Sequence, residues 1–185
     1  AGDDEIYAGA GNDTLTGGSG ADTFNADSGT DTITDLTTTD ILVVSGSATA
    51  NATNVSSFTA TSSTTNGGTA SISSASGGST IDMTNSANGL YTISGGAGVD
   101  IITGGTGADI ISGSGGDDVL VGGNGNDVIT GGADNDTLTG GNNNDTFNVD
   151  AGTETSTDLA TPDILVVSSG ATANATGITG FNATS

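Results

Sequence analysis

The chain has 185 residues, 22 Asp and Glu, and no Lys, Arg, His, Cys or Trp, so its formal net charge is −22. That excludes recognition of nucleic acid phosphate or anionic lipid, a P-loop Lys, any His-dependent nucleophile and a zinc site built on His or Cys. With 33 Gly, 32% hydrophobic and 3% aromatic residues, the composition alone is that of a disordered polypeptide, and its remaining chemistry is that of oxygen ligands for Ca²⁺ or Mg²⁺.

A nine-residue period opens the chain, with AGAGNDTLT from Ala8, GGSGADTFN from Gly17 and ADSGTDTIT from Ala26. Its sixth position holds Asp4, Asp13, Asp22 and Asp31, and its eighth holds Ile6, Leu15, Phe24 and Ile33. Gly at the first, second and fourth positions permits positive φ, so six residues can fold back tightly with carbonyls turned inward. The last three residues are β-formers with only the middle one directed to a core. One large apolar residue in nine cannot sustain an independent domain, but stacked units bring these residues into a file at the ~4.8 Å strand spacing. The pattern predicts a solenoid, and residues 1–34 are the end of one such block.

Residues 35–85 are rich in Ser, Thr, Ala and Asn, with alternations such as Ala70-Ser71-Ile72-Ser73 that predict short strands. This stretch is expected to be a solenoid continuation or small β module without clear metal sites. The period returns over 86–157. SANGLYTIS from Ser86 keeps the frame but places Tyr91 where Asp belongs, and six strong units then run from Gly95 to Asn148. Their sixth positions are Asp100, Asp109, Asp118, Asp127, Asp136 and Asp145, followed by Glu154 in the weaker unit VDAGTETST. Their eighth positions are Ile102, Ile111, Leu120, Ile129, Leu138 and Phe147.

Residues 158–185 copy 35–62. Asp40-Ile41-Leu42-Val43-Val44 recurs as Asp163-Ile164-Leu165-Val166-Val167, and Phe58 as Phe181, always 123 residues on. The chain therefore holds about one and a half copies of a 123-residue tandem unit. It begins at Ala1 without an initiator Met or signal peptide and is expected to be an excerpt of something longer.

The nonapeptides resemble the RTX (repeats-in-toxin) family, whose signature is G-G-x-G-x-D-x-U-x with U a large apolar residue. The resemblance implies an all-β fold, a right-handed parallel β-roll with two nonapeptides per coil and a Ca²⁺ ion between turns n and n+2. Sixth-position carboxylates would hold the ion together with turn carbonyls of the second and fourth positions. Those carbonyls belong to Gly9, Gly11, Gly18, Gly20, Gly96, Gly98, Gly105, Gly107, Gly116, Gly123, Gly125, Gly132 and Gly141. The pairs eighteen apart are Asp4/Asp22, Asp13/Asp31, Asp100/Asp118, Asp109/Asp127, Asp118/Asp136 and Asp127/Asp145, which gives about six sites. Asp136/Glu154 and Asp82/Asp100 would raise the count to eight, although Glu154 is longer and the unit of Asp82 lacks its fourth Gly. Asp134 and Asn143 also replace the fourth Gly in otherwise regular units.

Two carboxylates ~5 Å apart repel by about 3 kcal/mol at an effective dielectric near 20, and a core this thin offsets little of that. The fold is therefore expected to depend on calcium at extracellular concentration, with RTX-like export by type I secretion. Asp27-Ser28-Gly29-Thr30 imitates an aspartic-protease signature, yet it sits inside the nonapeptide frame, and no enzymatic activity is expected. The sequons at Asn51 and Asn174 are expected by chance in so Asn- and Thr-rich a chain. The expected role is a structural repeat of a large secreted surface protein, such as an S-layer, surface filament or giant adhesin, partnered by calcium and by further copies of itself. The alternatives are the folding module of an exported enzyme or cytolysin, and an ice-binding solenoid, whose outward positions would need a threonine ladder that this sequence lacks.

Overall fold

The computed structural model describes residues 1–179. Those residues form strands, turns and bends with no helix, and every strand pairing is parallel. Parallel pairing between neighbours in sequence needs a connection that crosses over, and a roll supplies it by laying each strand one full coil after its partner.

Three sheets build the roll. Sheet I contains Glu5–Tyr7, Thr23–Ala26, Ile41–Val44 and Thr65–Asn66. Sheet II runs almost the full length, through Ala10–Gly11 and Thr14–Leu15, Ser28–Ile33, Ala48–Val55, Thr69–Ser74, Tyr91–Ser94, Ile110–Gly115, Val128–Ala133, Thr146–Val149 and Ile164–Val167. Sheet III contains Ser57–Thr59, Thr80–Asp82, Ile101–Thr106, Val119–Asn124, Thr137–Asn142, Thr153–Ser156 and Thr172–Ala175. Up to Val44 the chain alternates between sheets I and II, and from Tyr91 onward between sheets II and III. Sheets I and III thus both lie across the core from sheet II. The arrangement fits the expected right-handed parallel β-roll.

The eighth-position residues stack as the period requires. On sheet II the register joins Leu15, Ile33, Ala52, Ile72, Ile93, Ile111, Ile129, Phe147 and Leu165. Facing it, Ile6, Phe24 and Leu42 form the file of sheet I, and Phe58, Ile81, Ile102, Leu120 and Leu138 that of sheet III. These files merge into one hydrophobic cluster.

In the nonapeptide blocks each coil takes 18 residues, as between Ile111 and Ile129. The stretch from 35 to 94 continues the same roll with wider coils: 19 residues from Ile33 to Ala52, 20 from Ala52 to Ile72 and 21 from Ile72 to Ile93. Core volume is held there by a different set of side chains. Ala48, Ala50, Ala52 and Ala70 are buried together with the large Phe58, Met83 and Tyr91. Val44 lies under the strand Thr65–Asn66 and is 2% exposed, whereas its copy Val167 has no such strand over it among the described residues and is 47% exposed. Phe181, the predicted copy of Phe58, and the rest of 180–185 lie outside the described residues.

Inward and outward neighbours on one strand should differ sharply. Ile102→Ala removes a fully buried side chain and is expected to cost about 2–5 kcal/mol. Ile101→Ala, at a residue 50% exposed, is expected to cost under about 1 kcal/mol. Thermal unfolding in saturating calcium checks both; equal costs would contradict the assigned faces.

Candidate metal sites in the turns

Each sixth-position Asp is anchored at the start of its strand by the ladder. The carbonyl of Asp100 accepts from Val119 N–H at 2.9 Å, that of Asp109 from Val128 at 2.9 Å and that of Asp118 from Thr137 at 2.8 Å. One carboxylate oxygen reaches the other way, to the preceding coil. Asp118 Oδ1 accepts the N–H of Asp100 (2.8 Å), Asp127 Oδ1 that of Asp109 (2.7 Å), Asp136 Oδ1 that of Asp118 (2.9 Å) and Asp145 Oδ1 that of Asp127 (2.9 Å). The first block repeats this, with Asp4 N–H on Asp22 Oδ1 and Asp13 N–H on Asp31 Oδ1. The structure thereby brings together all six predicted pairs eighteen residues apart.

The other carboxylate oxygen is the informative one. Oδ2 of Asp13, Asp31, Asp100, Asp109, Asp118, Asp127, Asp136 and Asp145 is buried without a hydrogen-bond partner, as are both carboxylate oxygens of Glu154. Burying an anionic oxygen without a donor costs several kcal/mol unless a cation compensates it. The chain has no side-chain cation to offer. From Asp100 to Asp145 the orphan oxygens face the first Gly of their own unit, a position held by Ala8 and Ala26 in the units of Asp13 and Asp31. A Cβ built on Gly104 would lie 2.6 Å from Asp109 Oδ2 and 2.7 Å from the Gly122 carbonyl oxygen. Any side chain there would fill the space that these two oxygens share, so at Gly104 it is the cradle and not a positive φ that calls for glycine.

Backbone donors crowd the same turns. Glycines at the second and fourth positions carry positive φ, among them Gly96, Gly98, Gly105, Gly107, Gly116, Gly123, Gly125, Gly132 and Gly141, and in the first block Gly9, Gly11, Gly18 and Gly20. Their carbonyls point along the roll axis: a Cβ on Gly123 would strike the carbonyl of Gly105, and one on Gly125 that of Gly107. Ser114, Asp134 and Asn143, which replace Gly at these positions, keep positive φ at 79°, 78° and 88°. The turn geometry therefore outlasts the glycine, at a strain that Asp and Asn tolerate best. Carbonyls of the first position (Gly113, Gly122, Gly131 and Gly140) also face the cradles and were not among the expected donors. No group of three or more acidic side chains is gathered at one point among the described residues. The carboxylates stack in pairs, so carbonyls must complete any shell of the six to eight oxygens that Ca²⁺ takes. These residues fit that ion.

The sites end in residues that need no metal. The coil before Asp100 has 21 residues, so Ser79 stands next to Asp100 and gives its N–H and hydroxyl to Asp100 Oδ1 at 2.6 and 2.7 Å. Asp82, eighteen before Asp100 in sequence, lies instead against Thr103 and accepts the N–H of Thr84. The wider coil thus moves it out of the column. On the other side Tyr91 takes the place of an Asp. Its N–H bonds Asp109 Oδ1, and its buried hydroxyl meets Ser86 Oγ at 2.6 Å.

At the far ends stand two aspartates that the sequence pattern alone did not single out. Asp40 Oδ1 accepts from Asp22 N–H, and its Oδ2 from the N–H and hydroxyl of Thr37. Asp163 Oδ1 accepts the N–H of Asp145 and its Oδ2 that of Ala160. Asp35 receives the N–H groups of Gly17 and Gly18, and Asp158 those of Gly140 and Gly141. Both Asp40 and Asp163 continue the nine-residue frame, which was the available signal; their units begin with Asp rather than Gly.

Burial disfavours the charged form of the paired acids and pushes them up, Asp109 to about 7 and Asp118 and Asp145 to about 6, with neighbouring carboxylates adding to the rise. Asp100, Asp127, Asp136 and Glu154 are raised for the same first reason. A raised carboxyl binds its proton more tightly in the folded chain, so without metal this contribution to stability is present at acid pH and lost as pH rises through about 6–7. Calcium needs the same oxygens deprotonated. The metal-free protein should therefore melt higher near pH 5 than near pH 8, and the calcium-loaded protein the reverse. Scanning calorimetry at both values tests this, and the same ordering with and without calcium would count against the sites.

The family model of the RTX calcium-binding nonapeptide repeat, in four copies, matches residues 1–33, 94–129 and 121–153, half of the chain. No curated protein and no solved structure matches it. The matched residues are those whose carboxylates and glycines form the stacked turns. The chain belongs to the RTX calcium-binding nonapeptide repeat family.

Proposed function

We propose that this calcium-binding repeat roll is a structural segment of a large secreted bacterial surface protein, an S-layer, filament or giant adhesin, that folds on meeting calcium outside the cell. The observation that carries the calcium dependence is the row of buried, partnerless carboxylate oxygens in a chain without basic side chains. Extracellular-type sites have Kd around 10⁻⁴–10⁻³ M, so cytosolic calcium leaves them empty and millimolar calcium outside fills them. An unfolded, strongly acidic chain suits export by type I secretion, and filling the sites would then drive folding beyond the membrane. The surface role is supported by the 123-residue unit, which begins again with little change, as a component whose product is length requires. The roll is structural, with calcium as ligand and with other copies of the unit as its partners.

Six ions would lie between the paired acids, with Asp136/Glu154 a seventh site supported by the two orphan oxygens of Glu154. Strand ellipticity should fall when calcium is chelated and return when it is restored; equal spectra in both conditions would sink the proposal. Asp118 faces Asp100 on one side and Asp136 on the other. Asp118→Asn should therefore remove about two ions from the calorimetric stoichiometry and, with calcium at ten times Kd, about 3 kcal/mol of stability. Loss of a single ion would mean that the acids act independently. Ordered sheets or fibres seen by electron microscopy only with calcium would support the surface reading, and dispersed particles in both conditions would oppose it.

A further inference from the structure

The two copies of the repeat do not occupy the same faces of the roll. Phe24 lies in sheet I and its copy Phe147 in sheet II; Leu42 lies in sheet I and Leu165 in sheet II. Likewise Ile33 and Ala52 belong to sheet II, while their copies Ser156 and Ala175 belong to sheet III. The reason is arithmetic in the register. From Ile33 the sheet II file reaches Phe147 in six coils, and nine residues later the chain arrives at Ser156 on the opposite face. The 123-residue unit therefore spans six and a half coils. Thirteen half-coils of nine residues account for 117, and the three wider coils add one, two and three residues to complete 123.

We infer that successive 123-residue units are related by a half-turn about the roll axis, so that a tandem array shows each unit's side chains on opposite faces in alternation. The inference rests on strand register and not on what fills the turns. Each unit advances the roll by about 31 Å, and a face recurs on its own side only after about 62 Å. A partner that recognises one face of a unit, a second roll included, meets the same residues on the other side one unit along. Such an array is two-sided without encoding two different surfaces. An integral number of coils would instead have put every copy on one side.

Since the chain has no Cys, pairs of introduced cysteines can carry nitroxide labels at chosen sites. Thr23→Cys with Thr146→Cys labels equivalent outward positions in sheets I and II, and Thr32→Cys with Thr146→Cys labels one face of sheet II at nearly the same axial separation. In calcium, dipolar spectroscopy should place the first pair farther apart than the second, because the ~10 Å between packed sheets is added to the axial distance. Equal distances, or a shorter first pair, would overturn the half-turn. Should circular dichroism show either variant unfolded, Thr14→Cys with Thr137→Cys (sheets II and III) against Thr14→Cys with Val128→Cys (sheet II alone) gives the same comparison elsewhere in the roll.

Discussion

Everything in this roll depends on the absence of an internal countercharge. A carboxylate that starts a strand has one oxygen tied to the backbone of the neighbouring coil and the other pointed into a closed turn. In a protein with Lys or Arg, that second oxygen could find an ion pair, and the turn would be an ordinary structural motif. Here the alternatives are a proton or a dissolved cation, and the choice between them is set by pH and calcium. The acids therefore take their countercharge from the surroundings.

A column of metal sites also has to stop, and the way it stops says that the sites are deliberate. Ser79 donates two hydrogen bonds to one oxygen of Asp100, and Tyr91 gives its N–H to one oxygen of Asp109 while plugging the core with its ring. Asp40 and Asp163 have both oxygens satisfied by backbone or hydroxyl donors, although each occupies the same sixth position as the paired acids. The difference lies in the turn. Asp35 or Asp158 at the first position leaves no glycine cradle and clasps the glycine amides of the preceding coil instead. One residue type thus serves as a metal-seeking group where Gly or Ala precedes it by five and as a cap where Asp does.

The nonapeptide part of this architecture was legible because its period is rigid. A coil of 18 residues, which the resemblance to the RTX family implies, turns sequence distance directly into spatial contact, so all six acid pairs could be named. Legibility failed where coils change length. Between Ile33 and Ile93 the added residues shift the frame, and Asp82 lands beside Thr103 rather than Asp100. Insertions cost a surface turn little, so nothing in the local sequence marks their effect on register. Asp40 and Asp163 went unremarked for the opposite reason: the frame includes them, but the glycines that advertise the motif are gone. The first-position carbonyls were invisible because a glycine pattern shows where the backbone can bend and not which carbonyl faces the ion.

The wider coils from 35 to 94 matter beyond their own stability. They contain no stacked acid pair, and they bury a denser set of apolar side chains, including Phe58, Met83 and Tyr91. This is where the roll exchanges the face opposite sheet II, passing from sheet I to sheet III through a coil that contributes strands to both. Calcium blocks built only of nonapeptides could vary in length solely by half-coils of nine, and each half-coil changes which face a residue meets. Placing extra residues outside the nonapeptide blocks lets the unit change length while the 18-residue register of the acid-bearing turns stays intact. The acids then remain aligned within each block, and the phase between blocks is set by a segment without stacked acid pairs.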